Sequence, residues 1–311
     1  MKHRARAFRA LFTASFLPLA LSLAFAQDSR PALDSLRGSV QAQSAESAAP
    51  AFQAAPVDAL AQAPGQLPTG RALLNALHDM TGKDFRQHSY GEAQNYIFSA
   101  ADNVLKDGTR GVIDAYSGVF VAGTSTEGSD YREQGDQNGD GFQDTAGMNI
   151  EHVWPQSFFK DQLPMKSDVH HLMATFIHPN SVRASLPFGV VSGQGQYHNK
   201  DGAKADQSAF EPPDETKGRV ARALLYFVTR YYDKSITNGS FGEQFWNEKL
   251  DVILSWNRDF PPTREERSRN DLVQSFQGNR NPFVDDPGLA DRIGRDAFLR
   301  LAQADSSSQP Q

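Results

Sequence analysis

Four of the eight histidines in this chain lie between His152 and His178. The stretch begins with the pair Glu151-His152, and Asn180 follows its last histidine closely. A neutral imidazole is the side chain best suited to activate water near physiological pH. A carboxylate and a carboxamide supply the oxygen ligands that Mg²⁺ and Mn²⁺ prefer. These residue types therefore predict an oxygen-ligand metal site with a histidine base.

Two short strands and the helix that follows them must position these groups. Residues 150–153 and 169–176 have the apolar pattern of strands, and Pro179 suits the first turn of a helix that would carry Asn180. A further strand signal covers residues 111–121, whereas most of the remaining chain has helical periodicity. The helical patterns cover residues 73–77, 91–106, 219–232 and 245–256, the third as a central buried helix. We expect an α+β fold that is mostly helical, with a small β element carrying the chemical motif.

The ends of the chain differ in composition from its centre. Residues 1–26 combine a basic start, an apolar run and the sequence Ala24-Phe25-Ala26, which predicts a signal peptide cleaved near Ala26. Residues 27–70 are rich in Ala, Gln, Pro and Ser, which predicts a disordered linker or pro-region, and residues 301–311 predict a disordered tail. This leaves residues 71–300 as a single domain. We therefore expect a secreted monomer, extracellular or periplasmic, that has no membrane partner.

Cysteine and charge exclude several classes of function. The chain has no cysteine, so it has no disulfide, no thiolate zinc site and no cysteine nucleophile. Removal of the signal peptide removes four basic residues and changes the net charge from −6 to −10. Such a protein repels polyanions at long range, so a polyanionic substrate would need a local basic groove and salt-sensitive binding.

Several blocks of this sequence resemble one known family. They are Glu-His-Val-Trp-Pro-Gln-Ser at 151–157, Ser-Asp-Val-His-His-Leu at 167–172, Asn-Ser-Val-Arg at 180–183 and Pro-Phe-Gly at 187–189, with further similarity at 116–118, 220–231 and 269–287. Together they resemble the bacterial endonuclease I family of secreted non-specific nucleases, which has a ββα-metal (His-Me) finger. The resemblance extends over roughly residues 72–292 and makes residues 71–300 a nuclease domain.

The resemblance implies a mechanism and its residues. His152 would be the general base that deprotonates the attacking water, and Glu151 and Asn180 would be the protein ligands of one divalent ion, Mg²⁺ or Mn²⁺. Cleavage of DNA, and of RNA as a second substrate, would leave 5′-phosphate and 3′-hydroxyl ends. Ile150 stands where the family often has an arginine. The sequence therefore does not identify the cationic side chain that stabilises the transition state. The remaining polar candidates are Lys166 and Arg183 for that cation, and Asp168, His170 and His171 as hydrogen-bonding supports.

A second cation site is predicted just upstream. Residues 136–147 read DQNGDGFQDTAG, which matches much of an EF-hand calcium loop. The candidate ligands are the side chains of Asp136, Asn138, Asp140 and Asp144 and the backbone carbonyl of Phe142. The twelfth position, normally glutamate, is Gly147. We expect a structural Ca²⁺ site; the alternative is a solvated turn rich in Asp, Asn and Gly.

Several arginines in the last quarter of the chain could contact nucleic acid. They are Arg258, Arg264, Arg267, Arg269 and Arg280. They could form a phosphate-contacting rim, or they could simply pair with neighbouring acids such as Glu265, Glu266 and Asp271. No recognition helix or zinc finger is evident, which predicts cleavage with little sequence preference.

The leading hypothesis is therefore a secreted, metal-dependent, non-sequence-specific endonuclease. A calcium-stabilised, non-catalytic binding module would fit the acidic loop but leaves Glu151, His152 and Asn180 unexplained. A metallopeptidase using His170, His171 and Glu151 is the weaker alternative, because the chain has no helical H-E-x-x-H motif.

Overall fold

The computed structural model describes residues 68–238 and 240–299. The predicted signal peptide and the predicted tail at 301–311 lie outside the described residues. The same is true of the predicted linker, except for residues 68–70.

Helices account for more residues than strands in the described fold. They are α1 Gly70–Lys83, α2 Tyr90–Tyr96, α3 Ile177–Arg183, α4 Asp214–Tyr231, α5 Ser240–Asn247, α6 Leu250–Asp259, α7 Arg264–Gln277, α8 Pro282–Asp285, α9 Leu289–Ile293 and α10 Arg295–Leu299. A π-helical turn, Ile97–Ala101, continues α2. In the described part of the chain, no helix combines the length and the apolar character needed to cross a membrane.

The strands are short and form small antiparallel sheets. They are β1 Asn103–Lys106, β2 Thr109–Ile113, β3 Phe120–Ala122, β4 Met148–His152, β5 Leu172–Phe176, β6 Tyr197–His198, β7 Lys204–Ala205 and β8 Phe210–Glu211. The sheets join β1 to β2 to β3, β4 to β5, and β6 to β7 to β8. With the helices they give an α+β fold, as the sequence predicts.

The helix predicted over residues 91–106 is too long. The helical part ends at Ala101, and residues 103–106 form β1 instead. Asp107 and Gly108 follow with φ values of 50° and 79°. Left-handed conformation at both central residues is typical of a two-residue hairpin turn, and Asp-Gly suits it well. This turn pairs β1 with β2 and so removes Val104 from the helix.

Two other predicted elements are divided. The helix predicted over 245–256 is two helices, because α5 ends at Asn247 and α6 begins at Leu250. The strand predicted over 111–121 contains a turn between β2 and β3, in which Asp114 accepts hydrogen bonds from Tyr116 N and the Ser117 hydroxyl. The pattern therefore locates apolar residues correctly but does not reveal the polar turn between them.

The core is built around α4, as predicted for residues 219–232. This helix packs against α1 and α6 and is buried along most of its length. The Trp154 ring, just beyond β4, stacks on Phe227 of α4 with ring centroids 5.2 Å apart, and its indole N–H donates to Ile236 O at 2.8 Å. The end of β4 is thereby fixed to the largest apolar cluster of the protein.

Strands β4 and β5 and helix α3 form one continuous unit. In the antiparallel register Glu151 lies opposite Met173 and His152 lies opposite Leu172. Helix α3 begins at Ile177, directly after β5 ends at Phe176. Because β5 is antiparallel to β4, α3 begins beside the start of β4, packs against both strands and places Asn180 beside Ile150 and Arg183 beside the end of β4.

Candidate active site

A cleft opens at the end of β4, with a volume of about 390 Å³. Its walls include Glu151 and His152 from β4, Asn180 and Arg183 from α3, and Tyr90 from the first turn of α2. Helix α2 is held there by a capping box, in which Ser89 and Glu92 each accept the other's backbone N–H. The structure therefore brings together four of the residues that the sequence suggested for the site.

The His152 imidazole is fixed by the main chain. Its Nε2 lies 3.1 Å from the backbone carbonyl of Lys166. A carbonyl oxygen can only accept a hydrogen bond, so Nε2 carries the proton and Nδ1 keeps a lone pair. Burial, with the neighbouring His171, lowers the pKa of His152 to about 3. The ring is therefore neutral at physiological pH, which is the state a general base requires.

Glu151 and Arg183 form a buried ion pair. Arg183 Nη1 donates to Glu151 Oε1 at 2.6 Å, and both side chains are 1% exposed. The same guanidinium donates to the carbonyls of His152 at 2.9 Å and Val153 at 2.6 Å. Burial raises the pKa of Glu151, and Arg183 opposes that rise. Arg183 therefore joins α3 to the end of β4 and directs its charge at Glu151.

Asn180 has the orientation of an oxygen ligand. Its amide nitrogen donates to Asn149 Oδ1 at 2.7 Å and to Ile150 O at 3.3 Å. Both bonds use Nδ2 and fix the side chain. The Oδ1 atom is therefore left to coordinate a cation in the cleft. Within the described residues, no group of three His, Cys, Asp or Glu side chains is arranged to hold a metal. An ion in the cleft would accordingly need Glu151, Asn180 and water.

Lys166 lies beside the cleft. Its ammonium is 5.2 Å from the centre of the Tyr90 ring and 3.4 Å from Asp161. Burial and the Asp161 charge raise the pKa of Tyr90 to about 12, so the phenol stays protonated. The contact of Lys166 with His152 is made through its backbone carbonyl.

Asp168 is the centre of a buried polar network. Its carboxylate accepts hydrogen bonds from the hydroxyls of Tyr226 and Tyr231, both at 2.8 Å, and from Gln277 Nε2 at 2.7 Å. Burial opposes ionisation, but the neighbouring His170 and His171 and the hydrogen bonds from Gln277 and Tyr226 outweigh it, so the pKa of Asp168 is lowered. The network joins the segment before β5 to α4 and the end of α7.

His170 and His171 are turned away from the cleft. Each directs Nε2 at a backbone carbonyl, His170 at Asn279 O over 3.0 Å and His171 at Met165 O over 2.7 Å. Burial lowers the pKa of both to about 4, although Asp168 opposes the change. These contacts agree with a supporting role for both histidines.

The acidic loop at 136–147 has a defined fold. Asp136 accepts the N–H groups of Asp140 and Gly141, both at 3.0 Å, and Gly141 has the left-handed φ of 88° expected at the sixth position of a calcium loop. Asn138 Oδ1 accepts from Asp140 N at 3.0 Å. Burial, with the charges of Glu133 and Asp140, raises the pKa of Asp144 to about 7. The loop therefore concentrates negative charge close to β4.

The predicted arginine rim is only partly accessible. Arg269 is buried and donates to Asp102 Oδ1 at 2.6 Å, and Arg280 donates to Asp271 and Asp285. Arg258 pairs with Asp291, and Arg267 donates to Val284 O at 2.9 Å. Arg264 is exposed at the start of α7. Pairing with the protein's own acids, the alternative to a phosphate-contacting rim, thus accounts for Arg258, Arg269 and Arg280.

Sequence reasoning missed several residues around the site. Tyr90 lies in the cleft wall, Asn149 holds the Asn180 amide, and the carbonyl of Lys166 sets the tautomer of His152. Asn149 is next to the motif and could have been suspected from strand alternation. Tyr90 is remote in sequence, and a backbone carbonyl has no sequence signal at all.

Comparisons with known proteins agree with the resemblance. An extracellular ribonuclease of Bacillus amyloliquefaciens is 36% identical over 155 residues, covering 47% of this chain and 53% of the relative. A periplasmic deoxyribonuclease of Aeromonas hydrophila is 27% identical over 124 residues, covering 39% and 48%. Endonuclease-1 of Buchnera aphidicola subsp. Acyrthosiphon pisum (strain APS) is 25% identical over 131 residues, covering 39% and 45%. The chain thus spans about half the length of these curated relatives. The profile of the Endonuclease I family matches residues 69–288, most of the chain, and the protein therefore belongs to the endonuclease I family.

Proposed function

We propose that this protein is a secreted, metal-dependent endonuclease that hydrolyses phosphodiester bonds without sequence preference. One observation carries the proposal: a neutral imidazole whose basic nitrogen is defined lies in one cleft with a carboxylate and a carboxamide. Relatives named as ribonuclease, deoxyribonuclease and endonuclease support the reaction class. In this proposal β4, β5 and α3 are the ββα-metal finger.

His152 acts as the general base. The Lys166 carbonyl holds the proton on Nε2, so Nδ1 takes a proton from the attacking water. The depressed pKa keeps this nitrogen unprotonated in the free enzyme. A bound phosphate brings negative charge close to the ring, which favours the imidazolium that forms as the water attacks.

Glu151 and Asn180 hold the divalent ion. The residues fit a hard cation, because Asn180 Oδ1 is left available by the bonds of its Nδ2 and Glu151 supplies a carboxylate. When bound, Mg²⁺ or Mn²⁺ would offset negative charge on the phosphate and on the leaving 3′-oxygen. Arg183 holds Glu151 in place and is a positioning residue in this proposal.

Lys166 is the side chain that we assign to the transition-state charge. The Nη1 and Nη2 atoms of Arg183 are engaged by Glu151 and backbone carbonyls, whereas Lys166 is partly exposed and lies over Tyr90 at the edge of the cleft. A short movement of its flexible stem would bring the ammonium towards a bound phosphate. DNA is the proposed substrate and RNA a second one, because relatives of both names are similar to this chain.

The metallopeptidase alternative is not favoured by the site. His170 and His171 both give their Nε2–H to backbone carbonyls and lie outside the cleft wall that contains Glu151.

Cleavage of supercoiled plasmid tests the proposal. The wild-type protein should nick and linearise DNA with Mg²⁺ or Mn²⁺, and not after chelation. We expect His152→Ala to lower the rate about 10²–10⁴-fold, the usual contribution of a general base. The exposed His198→Ala is the matched control and should cleave like the wild type.

The nicks should be sealed by DNA ligase, because the proposed products are 5′-phosphate and 3′-hydroxyl ends. A parallel assay on single-stranded RNA measures the second substrate. Metal-independent cleavage, or an undiminished rate in His152→Ala with an unchanged melting temperature, would contradict the proposal.

A further inference from the structure

The acidic loop contains carboxylate oxygens that lack partners. Asp144 is 5% exposed, and its Oδ2 makes no hydrogen bond. The Oδ2 of Asp140 is likewise buried without a partner. A buried carboxylate oxygen with no donor is costly, because it has lost its hydration and gained nothing in return. Both atoms therefore point to a positively charged or donating ligand.

No side chain in the described part of the chain supplies that charge. Within the described residues, none of Glu133, Asp136, Asp140 and Asp144 forms a salt bridge. Glu133 is 2% exposed, and its two oxygens accept the backbone N–H groups of Gln137, Asn138 and Asp144. The loop is thus folded around acids that repel one another.

Gly147 shows why the twelfth position has no acidic side chain. Its φ is 84°, and a Cβ there would lie 2.7 Å from Gly128 O and 2.8 Å from Ser129 O. Only glycine fits there. Glu133 does not take its place as a ligand, because its two oxygens already accept the N–H groups of Gln137, Asn138 and Asp144; it holds the main chain of the loop instead, and water is left to complete the shell.

We propose that residues 136–144 bind one structural Ca²⁺ through Asp140 and Asp144, with Asp136, Asn138, the Phe142 carbonyl and water completing the oxygen shell. No three acidic side chains of the described residues already surround one point, so the loop side chains would converge as the ion binds. Ca²⁺ accepts six to eight oxygens in flexible geometry, whereas Mg²⁺ demands a tighter octahedron. A loop that mixes carboxylate, carboxamide and carbonyl oxygens therefore suits Ca²⁺.

The site is coupled to α3. The Asp144 carboxylate accepts the backbone N–H of His178, and the Phe142 ring lies 3.9 Å from the His178 ring, centroid to centroid. Asn180 is in the same helix. An ion held by Asp144 would therefore fix the helix that presents the carboxamide to the cleft. This coupling rests on the proposed nuclease function, whereas the binding of Ca²⁺ does not.

Calorimetry and thermal melting of the chelator-treated protein test the binding. We expect Ca²⁺ to bind with a Kd of about 10⁻³ M or tighter, as in extracellular calcium modules, and to raise Tm by several degrees. Asp144→Asn and Asp140→Asn should each weaken Ca²⁺ binding at least tenfold. The exposed Asp107→Asn is the matched control and should bind like the wild type.

The direction of the change in Tm distinguishes Asp144→Asn from a variant that is merely destabilised. Because Asp144→Asn removes repulsion, its Tm without Ca²⁺ should equal or exceed that of the wild type, and its Tm with Ca²⁺ should be lower. Asn180→Ala should keep the calcium shift, which places the ion outside the cleft. The proposal is overturned if the wild type neither binds Ca²⁺ nor melts higher with it. It is also overturned if both loop variants retain wild-type affinity, or if Asn180→Ala abolishes the shift.

The coupling has its own readout. In wild-type protein, saturating Ca²⁺ should lower the Mg²⁺ concentration for half-maximal cleavage by at least about threefold, and Asp144→Asn should lose this effect. An unchanged Mg²⁺ requirement would refute the coupling. Absence of cleavage under all conditions would refute the proposed function and leave the calcium measurements standing.

Discussion

Arg183 connects more of the site than any other single side chain. Its guanidinium bonds Glu151 and the carbonyls of His152 and Val153, and the side chain is almost wholly buried. A planar group with five donors can serve these acceptors together, which a lysine ammonium on a flexible stem cannot do in the same geometry. This one guanidinium therefore joins α3 to the end of β4.

Removal of Arg183 should therefore harm stability and activity by separable routes. Arg183→Met leaves the buried Glu151 unpaired, and we expect a loss of about 3–5 kcal/mol of unfolding free energy. The double variant Arg183→Met with Glu151→Gln should recover much of that stability but no metal-dependent cleavage.

Denaturant unfolding and plasmid cleavage measure the two effects. Arg264→Met, an exposed change, is the control and should alter neither the stability nor the rate constant measured at saturating substrate. A single variant as stable as the wild type would show that the ion pair does not hold Glu151.

The sequence motif predicts residues of the site only where their neighbours are local. Glu151 and His152 are adjacent at the end of one strand, and α3 follows the partner strand directly, so both sides of the cleft lie within one short unit. Tyr90 reaches the cleft through the capping of α2 and the packing of that helix. Such a contact depends on the tertiary fold and cannot be predicted from spacing.

At the scale of elements, the segment before β5 is held by buried neutral imidazoles. His170 and His171 each satisfy a carbonyl with Nε2, and Asp168 between α4 and α7 organises the surrounding donors. The histidines are kept neutral by burial, so the segment depends on pH in a defined direction.

Acid should destabilise the protein well above the range in which most carboxylates titrate. The folded-state pKa of His170 and of His171 is about 4, against an ordinary value of 6.5. Between these values the unfolded chain binds protons that the folded chain excludes, so stability is full above pH 6.5 and falls as the pH drops towards 4. We expect a slope of about 2.4 kcal/mol per pH unit near pH 5 from the pair, and the buried His152, with a pKa of about 3, adds about half as much again.

Unfolding free energies measured across pH 4.5–7.5 check this slope. The His170→Gln variant should keep about half of the slope that His170 and His171 contribute together, whatever the stability of the variant at neutral pH. The exposed His198→Gln should leave the slope unchanged. Equal slopes in wild type and His170→Gln would contradict the assignment.

Elements were predictable where a pattern was long, and less so where polar residues turned the chain. The apolar run of α4 identifies the central helix, because a helix that is apolar on several sides has to be buried. The helical pattern over residues 91–106 predicts too long a helix. Asp107-Gly108 imposes a hairpin there on residues that would continue the helix by periodicity. The turn residues therefore outweigh the periodicity there.

At the scale of the whole molecule, charge opposes the proposed substrate. The full chain carries a net charge of −6, and most of the suspected arginines neutralise the protein's own acids. A polyanion is therefore repelled at long range, and binding relies on contacts close to the cleft.

DNA binding should weaken as salt is added, with a shallow slope that reflects few phosphate contacts. In a His152→Ala background, each contact contributes about 0.9 to the slope of log K against log salt concentration. Lys166→Gln should reduce this slope by about one contact, whereas Arg258→Gln should not change it, because that side chain already pairs with Asp291. Fluorescence anisotropy from 50 to 300 mM salt measures the slopes. Equal effects of the two substitutions would remove Lys166 from the substrate site.

The bond from His152 to the carbonyl of Lys166 leaves an unusual freedom for sequence change. A base oriented by a carboxylate side chain is lost whenever that partner mutates, but every residue type at position 166 supplies a carbonyl. Substitution there can alter the charge next to the cleft while the tautomer of the base stays the same. Position 166 is therefore a place where evolution or engineering can retune the charge beside the cleft, and with it the proposed affinity for substrate and its salt dependence, without rebuilding His152, the proposed base.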